Sequence, residues 1–594
     1  MGNLNLVMKQ MLSLLLLLPT CITHGQQATE AIRLNQVGFY NKLPKVAAIA
    51  GATKHSIFYL VHAGSTDTVF EGRLSEERRS VNSSLVTRLA EFSSFQKEGR
   101  YFIDVPGLGR SYTFEIGKEV YRTAAIALLK GFYFQRSNQT LTEPYAGKWN
   151  RGAGHPDTAI VVHPSAASTK RPAGTVIASP GGWYDAGDYN KYIVNSGITM
   201  HTLLSAYEDF PVYFRKLKTQ IPESSDGIPD VLNEVLYNLR WMLTMQDPAD
   251  GGVYHKCTNA GFDGMVMPGV TKAPRYVVQK STAATLDFAA VMAQAARVYK
   301  PYYKELPGLA DSCLSAATYA WNWSVRNPDI RYDQDQLNSR FQPKITTGAY
   351  GDRRLRDEWL WAAAELFATT TQKAYFDTVV QHRADPVVLP SWADVGMLAY
   401  YTLARQQMVL PGYARATVAA MKDSILRKAD NLANSYKHTA FHTTMGLSPR
   451  DFVWGSNAVA ANGGILLLQA YLFTKQQKYL EGALSSADYL LGRNATGYCF
   501  ITGIGTKSPR RPHHRPSVAD GVAEPVPGLL AGGPNPGRQD SCAYTFIEPE
   551  TAYTDLDCSY ASNEIAINWN APAAYLLNAV EALQLAGRTT KNNP

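Results

Sequence analysis

A chain of 594 residues is longer than one hydrophobic core ordinarily supports, so at least two domains are expected. Its 45% hydrophobic and 18% charged residues are those of an ordinary globular protein and exclude the disordered and fibrous classes. The formal net charge of +8 is dispersed; the one compact basic cluster, Lys507 to Arg515, is broken by prolines and lacks aromatic interleaving, which argues against nucleic acid as a partner.

At the N-terminus Lys9 precedes the apolar run Met11–Leu18, followed by Pro19 and small or polar residues through Gly25. A basic start with a short apolar stretch predicts a secretory signal over residues 1–25, too short to span a membrane. The mature protein is therefore expected to be secreted or periplasmic, with a lipoprotein anchored at Cys21 as the alternative. No later stretch is long and apolar enough to be a transmembrane segment.

Residues 26–118 read as a β-sandwich. Lys45–Ala50, Ser56–Ala63, Asp67–Leu74, Val86–Phe95, Arg100–Val105 and Ser111–Ile116 are short, apolar or β-branched, and punctuated by Gly and Pro. Beyond Tyr121 the period changes to helical, as in the stripe Val231, Leu232, Val235, Leu236, Leu239, Met242 and Leu243. Similar stretches near 123–135, 197–209, 283–299, 312–323, 357–370, 394–406, 414–434, 459–474, 477–491 and 570–586, with one or two short helices missed, make about a dozen. That number fits an all-α barrel of paired helices over residues 119–590. No internal repeat is evident, which disfavours a solenoid.

Between the helices lie three chemically loaded loops. In Gly181-Gly182-Trp183-Tyr184-Asp185-Ala186-Gly187-Asp188-Tyr189-Asn190-Lys191-Tyr192, two carboxylates three residues apart can point into one cavity from a tight turn. The plainer reading is that one of them caps a helix starting near Lys191; the surrounding aromatics, which could stack on sugar rings, favour a cleft. In Lys507–Ser517, His513, His514 and Arg515 are held between prolines as rigid donors, and no partner stands at a spacing that would make them a metal site. Glu564, in Asn563-Glu564-Ile565-Ala566-Ile567-Asn568-Trp569-Asn570-Ala571, precedes a helix. It is either a solvated first-turn glutamate or, if buried near Tyr560 and Trp569, a carboxylic acid able to give up a proton at neutral pH.

These three motifs, in this order, resemble glycoside hydrolase family 9, the inverting cellulase family with an (α/α)6 barrel. The opening Ile32-Arg33-Leu34-Asn35-Gln36-Val37-Gly38 is similar to the first strand of the immunoglobulin-like domain that one subgroup carries. The resemblance spans nearly the whole mature chain. It implies Asp188 as general base, Asp185 as the residue that positions the water, and Glu564 as general acid. It also implies sugar contacts from His513, Arg515, Trp183, Tyr184 and Tyr560. The substrate is then a β-glucan with β-1,4 links, in cellulose or a related polymer, cleaved internally by a monomer. No separate carbohydrate-binding module or linker is visible, which points to soluble or amorphous glucan. An exo-acting β-glucosidase or glucosaminidase, with Val518–Ser559 as the wall closing the cleft, and a non-catalytic glycan-binding protein are the alternatives.

No cofactor is required by this chemistry. Some relatives hold a structural zinc with two Cys and two His, one His directly before the Asp-Ala-Gly-Asp turn; Tyr184 stands there, so zinc is not expected. Calcium is expected at Gly348-Ala349-Tyr350-Gly351-Asp352 with Asp357 and Glu358, against a reading of these carboxylates as a helix cap. Cys542 and Cys558 could pair in an oxidising compartment, with buried free thiols as the alternative.

Overall fold

The computed structural model describes residues 28–589. The signal segment 1–25 and Cys21 lie outside the described residues. The N-terminal part is a sandwich of two sheets. One pairs Ile32–Arg33, Val46–Ile49, Val86–Glu91 and Arg78–Arg79 in that order. The other runs Gly38–Tyr40, Phe114–Gly117, Gly99–Val105, Ile57–His62, Thr68–Arg73, antiparallel except where Phe114–Gly117 lies parallel to Gly38–Tyr40. Alternation sets the inner face: Phe58, Leu60, Tyr101, Ile103 and Val105 are buried in one core with Phe39, Phe92 and Phe114.

After Tyr121 six helix pairs follow, joined into one large apolar core. Ile193–Asp209, Thr282–Tyr299, Arg356–Thr370, Gly396–Gln406, Ser456–Thr474 and Ile567–Thr589 form the inner ring. Arg122–Phe134, Asp230–Thr244, Leu309–Arg326, Lys373–His382, Arg415–Ser435 and Gln477–Leu490 cover it from outside. The sequences explain the division. Thr282–Tyr299 is rich in Ala and buried on nearly every side. Arg415–Ser435 buries only Val418, Met421, Ser424, Ile425, Ala429 and Ala433, one stripe at helical spacing. The architecture is a β-sandwich followed by an (α/α)6 barrel.

The sandwich is fastened to the barrel by buried polar side chains. Asn35 donates to Asp488 at 2.7 Å and to the Tyr121 hydroxyl at 2.9 Å. Gln36 donates to the Gly497 carbonyl at 2.9 Å, and its own carbonyl accepts from the amides of Thr506 and Lys507 at 2.8 Å each. Such groups are costly to bury unpaired, so they fix one docking geometry. The Cys542–Cys558 disulfide closes a loop of sequence separation 16, while Cys257, Cys313 and Cys499 are buried thiols. That loop belongs to the barrel side of the same junction: Ser83 and Ser84 of the sandwich bond Glu550 and Glu548.

Candidate active site

Three non-contiguous segments are knitted side by side at one end of the barrel. Ala186 bridges Ala566, and the Ile567 amide donates to the Asp185 carbonyl at 2.9 Å, so the Asp-Ala-Gly-Asp turn and the Glu564 segment form one unit. His513 pairs with Glu564 in parallel, bringing in the third loop. Gly187 is where they meet: a Cβ there would lie 2.1 Å from the His513 carbonyl oxygen, so only glycine allows the approach.

A cleft of about 450 Å³ opens on this unit. Asp185, Asp188 and Glu564 all line it, with Tyr192, Tyr350, Trp392, Trp454, Trp569 and Phe262 among its walls. Neither aspartate caps a helix: the helix begins at Ile193, and its preceding Tyr192 makes no side-chain cap. Asp185 accepts from the Asn195 amide at 3.0 Å on each oxygen and from the Tyr350 hydroxyl at 3.0 Å. Asp188 Oδ2 accepts from Asn190 at 2.5 Å and Tyr192 at 3.2 Å, while its Oδ1 is buried without a hydrogen-bond partner. Glu564 is not in the first turn of a helix either, since that helix starts at Ile567.

The electrostatics separate these carboxyls. Burial raises Glu564 well above the usual range; Asp188 and Asp185 add to the effect, against Arg515 and the Gly187 backbone. Asp185 is also raised well above normal, by burial and then by Asp188. Asp188 is raised by burial, but Arg515, Asn190, Tyr192 and Arg275 all favour its charged form. Asp188 is thus the carboxyl of the pair with the most groups favouring its anion, and Glu564 is held toward its acid form.

The remaining expected sugar contacts divide. His513 Nδ1 lies 2.6 Å from the Asp557 carbonyl oxygen, and burial lowers its pKa. A neutral ring with its proton on Nδ1 leaves Nε2 as an acceptor. Tyr560 is 37% exposed; its ring centroid stands 5.9 Å from His513 and 5.5 Å from Trp454, extending the aromatic wall. Arg515 is buried behind this wall, donating to the Gly187 carbonyl at 2.7 Å and to the Asp263 carbonyl at 2.9 and 2.8 Å. Its place is that of a loop fastener and a charge beside Asp188.

Trp183 and Tyr184 are corrections. Both are fully buried away from the cleft. Trp183 packs on Phe132 at 4.8 Å and donates to Glu234 at 3.1 Å. The Tyr184 hydroxyl lies 2.9 Å from His155 Nδ1. Gly181 and Gly182, at φ +77° and +82°, turn the chain so that the tryptophan enters the core instead of the cleft. The cleft aromatics that sequence reasoning missed are Phe262, Trp392 and Trp454, which lie in loops without a carboxylate pair to draw attention to them, and Tyr350, which the sequence marks only as part of a calcium loop.

Asp352, Asp357 and Glu358 do gather, opposite Asp287. Both Asp287 oxygens, Asp352 Oδ2 and Glu358 Oε2 are buried without hydrogen-bond partners, oxygen chemistry that suits a hard cation. Among the described residues, however, no three His, Cys, Asp or Glu side chains are disposed to hold a metal ion. Asp357 is pushed up to about 6, first by burial. Around Tyr184, Asp157 forms ion pairs with Lys191 and Arg275, each at 2.7 Å.

The sequence profile of glycosyl hydrolase family 9 matches residues 121–577. The chain belongs to that family. The profile of the cellulase N-terminal ig-like domain matches residues 27–110. Over 555 residues, 93% of this chain and 94% of the relative, it is 44% identical to the xyloglucan-specific endo-β-1,4-glucanase of Bacteroides ovatus. Over 569 residues, 94% of this chain and 84% of the relative, it is 33% identical to endoglucanase D of Acetivibrio thermocellus. A solved Bacteroides ovatus family 9 structure superposes with a TM-score of 0.89 at 43% identity, covering 93% of this chain and 99% of that one. The protein is thus a family 9 glycosidase of the endoglucanase type, with the family's immunoglobulin-like domain. No helix among the described residues is long and apolar enough to cross a membrane.

Proposed function

We propose that this family 9 glycosidase is an exported, inverting endo-β-1,4-glucanase whose polymer is xyloglucan or a related soluble β-glucan. Asp188 is the general base that takes a proton from water, Asp185 holds that water, and Glu564 protonates the departing glycosidic oxygen. The observation that carries this reading is the convergence of these three carboxyls on one aromatic-walled cleft, with Glu564 held toward its acid form. An inverting pair needs room between its carboxyls for one water, about 6.5–9.5 Å. His513 and Tyr560 are proposed to contact the sugar at the cleavage point.

Internal cleavage is supported by the names of the two relatives, an endo-β-1,4-glucanase and an endoglucanase, while Val518–Ser559 does not line the cleft of about 450 Å³. That stretch instead supports the back of the site and the sandwich junction. Xyloglucan is favoured by the name of the 44% identical relative. Export is supported by the Cys542–Cys558 disulfide. For the acidic cluster of Asp287, Asp352, Asp357 and Glu358 we propose a structural calcium with no part in the chemistry, held only when these carboxyls draw closer together than they stand here, and no zinc beside Tyr184. Elemental analysis showing calcium and no zinc supports both statements; zinc at one per chain, or no calcium, rejects the corresponding one.

The test of function follows viscosity and reducing ends together on soluble xyloglucan and mixed-linkage β-glucan. A steep viscosity drop with few new ends is expected. Ends accumulating at constant viscosity would establish the exo-acting reading, and no change in either would leave a binding protein.

A further inference from the structure

Lys256 lies in the short strand Lys256–Asn259, whose neighbour Lys191–Tyr192 leads directly out of the Asp-Ala-Gly-Asp turn. It is completely buried, and its ammonium faces only neutral oxygens: Gln334 Oε1 at 2.7 Å, Thr347 Oγ1 at 3.1 Å, the Gly348 carbonyl at 2.6 Å and, farther off, the Thr347 carbonyl at 3.5 Å. Other buried lysines of this region sit on carboxylates, Lys191 on Asp157 at 2.7 Å and Lys280 on Asp247 at 2.6 Å. A fully buried cation solvated only by neutral groups is expensive unless a negative charge stands nearby.

That charge is reached by a continuous chain of hydrogen bonds. Thr347 Oγ1 lies 2.6 Å from Thr258 Oγ1, which lies 3.0 Å from Asn190 Oδ1. Asn190 in turn donates its amide to Asp188 Oδ2 at 2.5 Å. The Thr258 proton also faces the Asn259 carbonyl at 2.8 Å, and the Asn259 amide donates to Asn190 Oδ1 at 2.9 Å. Every donor in the chain can point from the ammonium toward the carboxylate, so each bond polarises the next. A second path runs through Tyr192: its ring centroid is 5.5 Å from Lys256 Nζ, and its hydroxyl donates to the same Asp188 oxygen at 3.2 Å.

We propose that Lys256 is a positioning residue for the general base, stabilising ionised Asp188 through Thr347, Thr258 and Asn190 and holding Oδ2 so that the unpartnered Oδ1 is left for water. This rests on the reading of Asp188 as the base. The groups facing Asp188 are Asp185, Glu564, Arg515, Arg275, His513, Tyr192 and Tyr350. Those facing Lys256 are Asp188, His255, Tyr192 and Tyr332. Burial pulls the Lys256 pKa well below its ordinary value, and Asp188 works against that pull; on Asp188 itself the cations acting directly are Arg515 and Arg275, so Lys256 acts on it through the hydrogen-bond chain.

A base must be ionised, and removing a cation that favours its charged form raises its pKa. The acidic limb of kcat/KM then moves to higher pH. Full-length wild type, Lys256→Met, Thr258→Val and Asp188→Asn would be assayed on soluble β-glucan across pH, with melting temperatures as a folding check. Lys256→Met is expected to move the acidic limb upward by about one pH unit. Thr258→Val, which keeps the ammonium and its other acceptors, is expected to move it the same way by less. If Lys256→Met fails to fold, the limb of Thr258→Val decides alone. An unmoved limb in the folded variants, with only the plateau lowered, overturns the proposal and makes Lys256 a fastener of the Thr347–Gly348 loop. Turnover retained in Asp188→Asn would instead overturn the assignment of the base.

Discussion

Two of the buried carboxyl clusters among the described residues have no arginine shared by every member, and one of these two has the parts of a catalyst. Around Asp185, Asp188 and Glu564, amides and hydroxyls from Asn190, Tyr192, Asn195 and Tyr350 reach individual oxygens, Arg515 supplies charge, and a cleft gives access. Around Asp287, Asp352, Asp357 and Glu358, four oxygens have no hydrogen-bond partner, and burial first, then the neighbouring carboxyls, raise Asp287 and Glu358. The number of carboxyls is similar. What differs is that the first set has donors that hold one member as an anion beside another kept as an acid, in contact with a cavity. Chemistry follows that asymmetry.

The comparison can be broken by substitution, beginning with the largest effect. Asp188→Asn and Glu564→Gln should each lower kcat by about 10³-fold or more with unchanged melting temperature, because general acid or base catalysis is lost outright. Comparable turnover in either would remove the asymmetry. Gly187→Ala should lower kcat by about 10²-fold, since its methyl must push the His513 loop away from the turn and a small displacement at the site is that costly. Wild-type kinetics there would mean the three-loop unit tolerates slack. Trp454→Ala, which removes a 43% exposed ring from the cleft wall, should raise KM about tenfold with kcat little changed. A fall in kcat alone would place the ring at the reacting centre. Smallest of all, Asp287→Asn should leave kcat within about twofold and act on the melting temperature instead; a large loss of kcat would tie the second cluster to catalysis.

Much of this was legible in the sequence because it is local. A short run of apolar, β-branched and aromatic residues marks Ser56–Ala63, where the strand is Ile57–His62, and helical periodicity finds nearly every barrel helix. The exception, Lys373–His382, is ten residues long with only Tyr375, Phe376 and Val379 buried, too few turns for a stripe to show. The three carboxyls are readable because each sits in a compact motif. The facing of single aromatics is not: Trp183 and Tyr192 stand in one Gly-rich segment, yet the first enters the core and the second lines the cleft. Lys256 escaped notice for a related reason, since its route to Asp188 joins residues 190, 256, 258 and 347, which only folding brings together.

The central claim is that water deprotonated by Asp188 attacks while Glu564 protonates the leaving oxygen from the other side. It is tested most directly by proton NMR of the reducing end during the first moments of glucan hydrolysis, before mutarotation. The α-anomer appearing first is the predicted result. The β-anomer appearing first would contradict it, because the configuration of the bond would then have been retained.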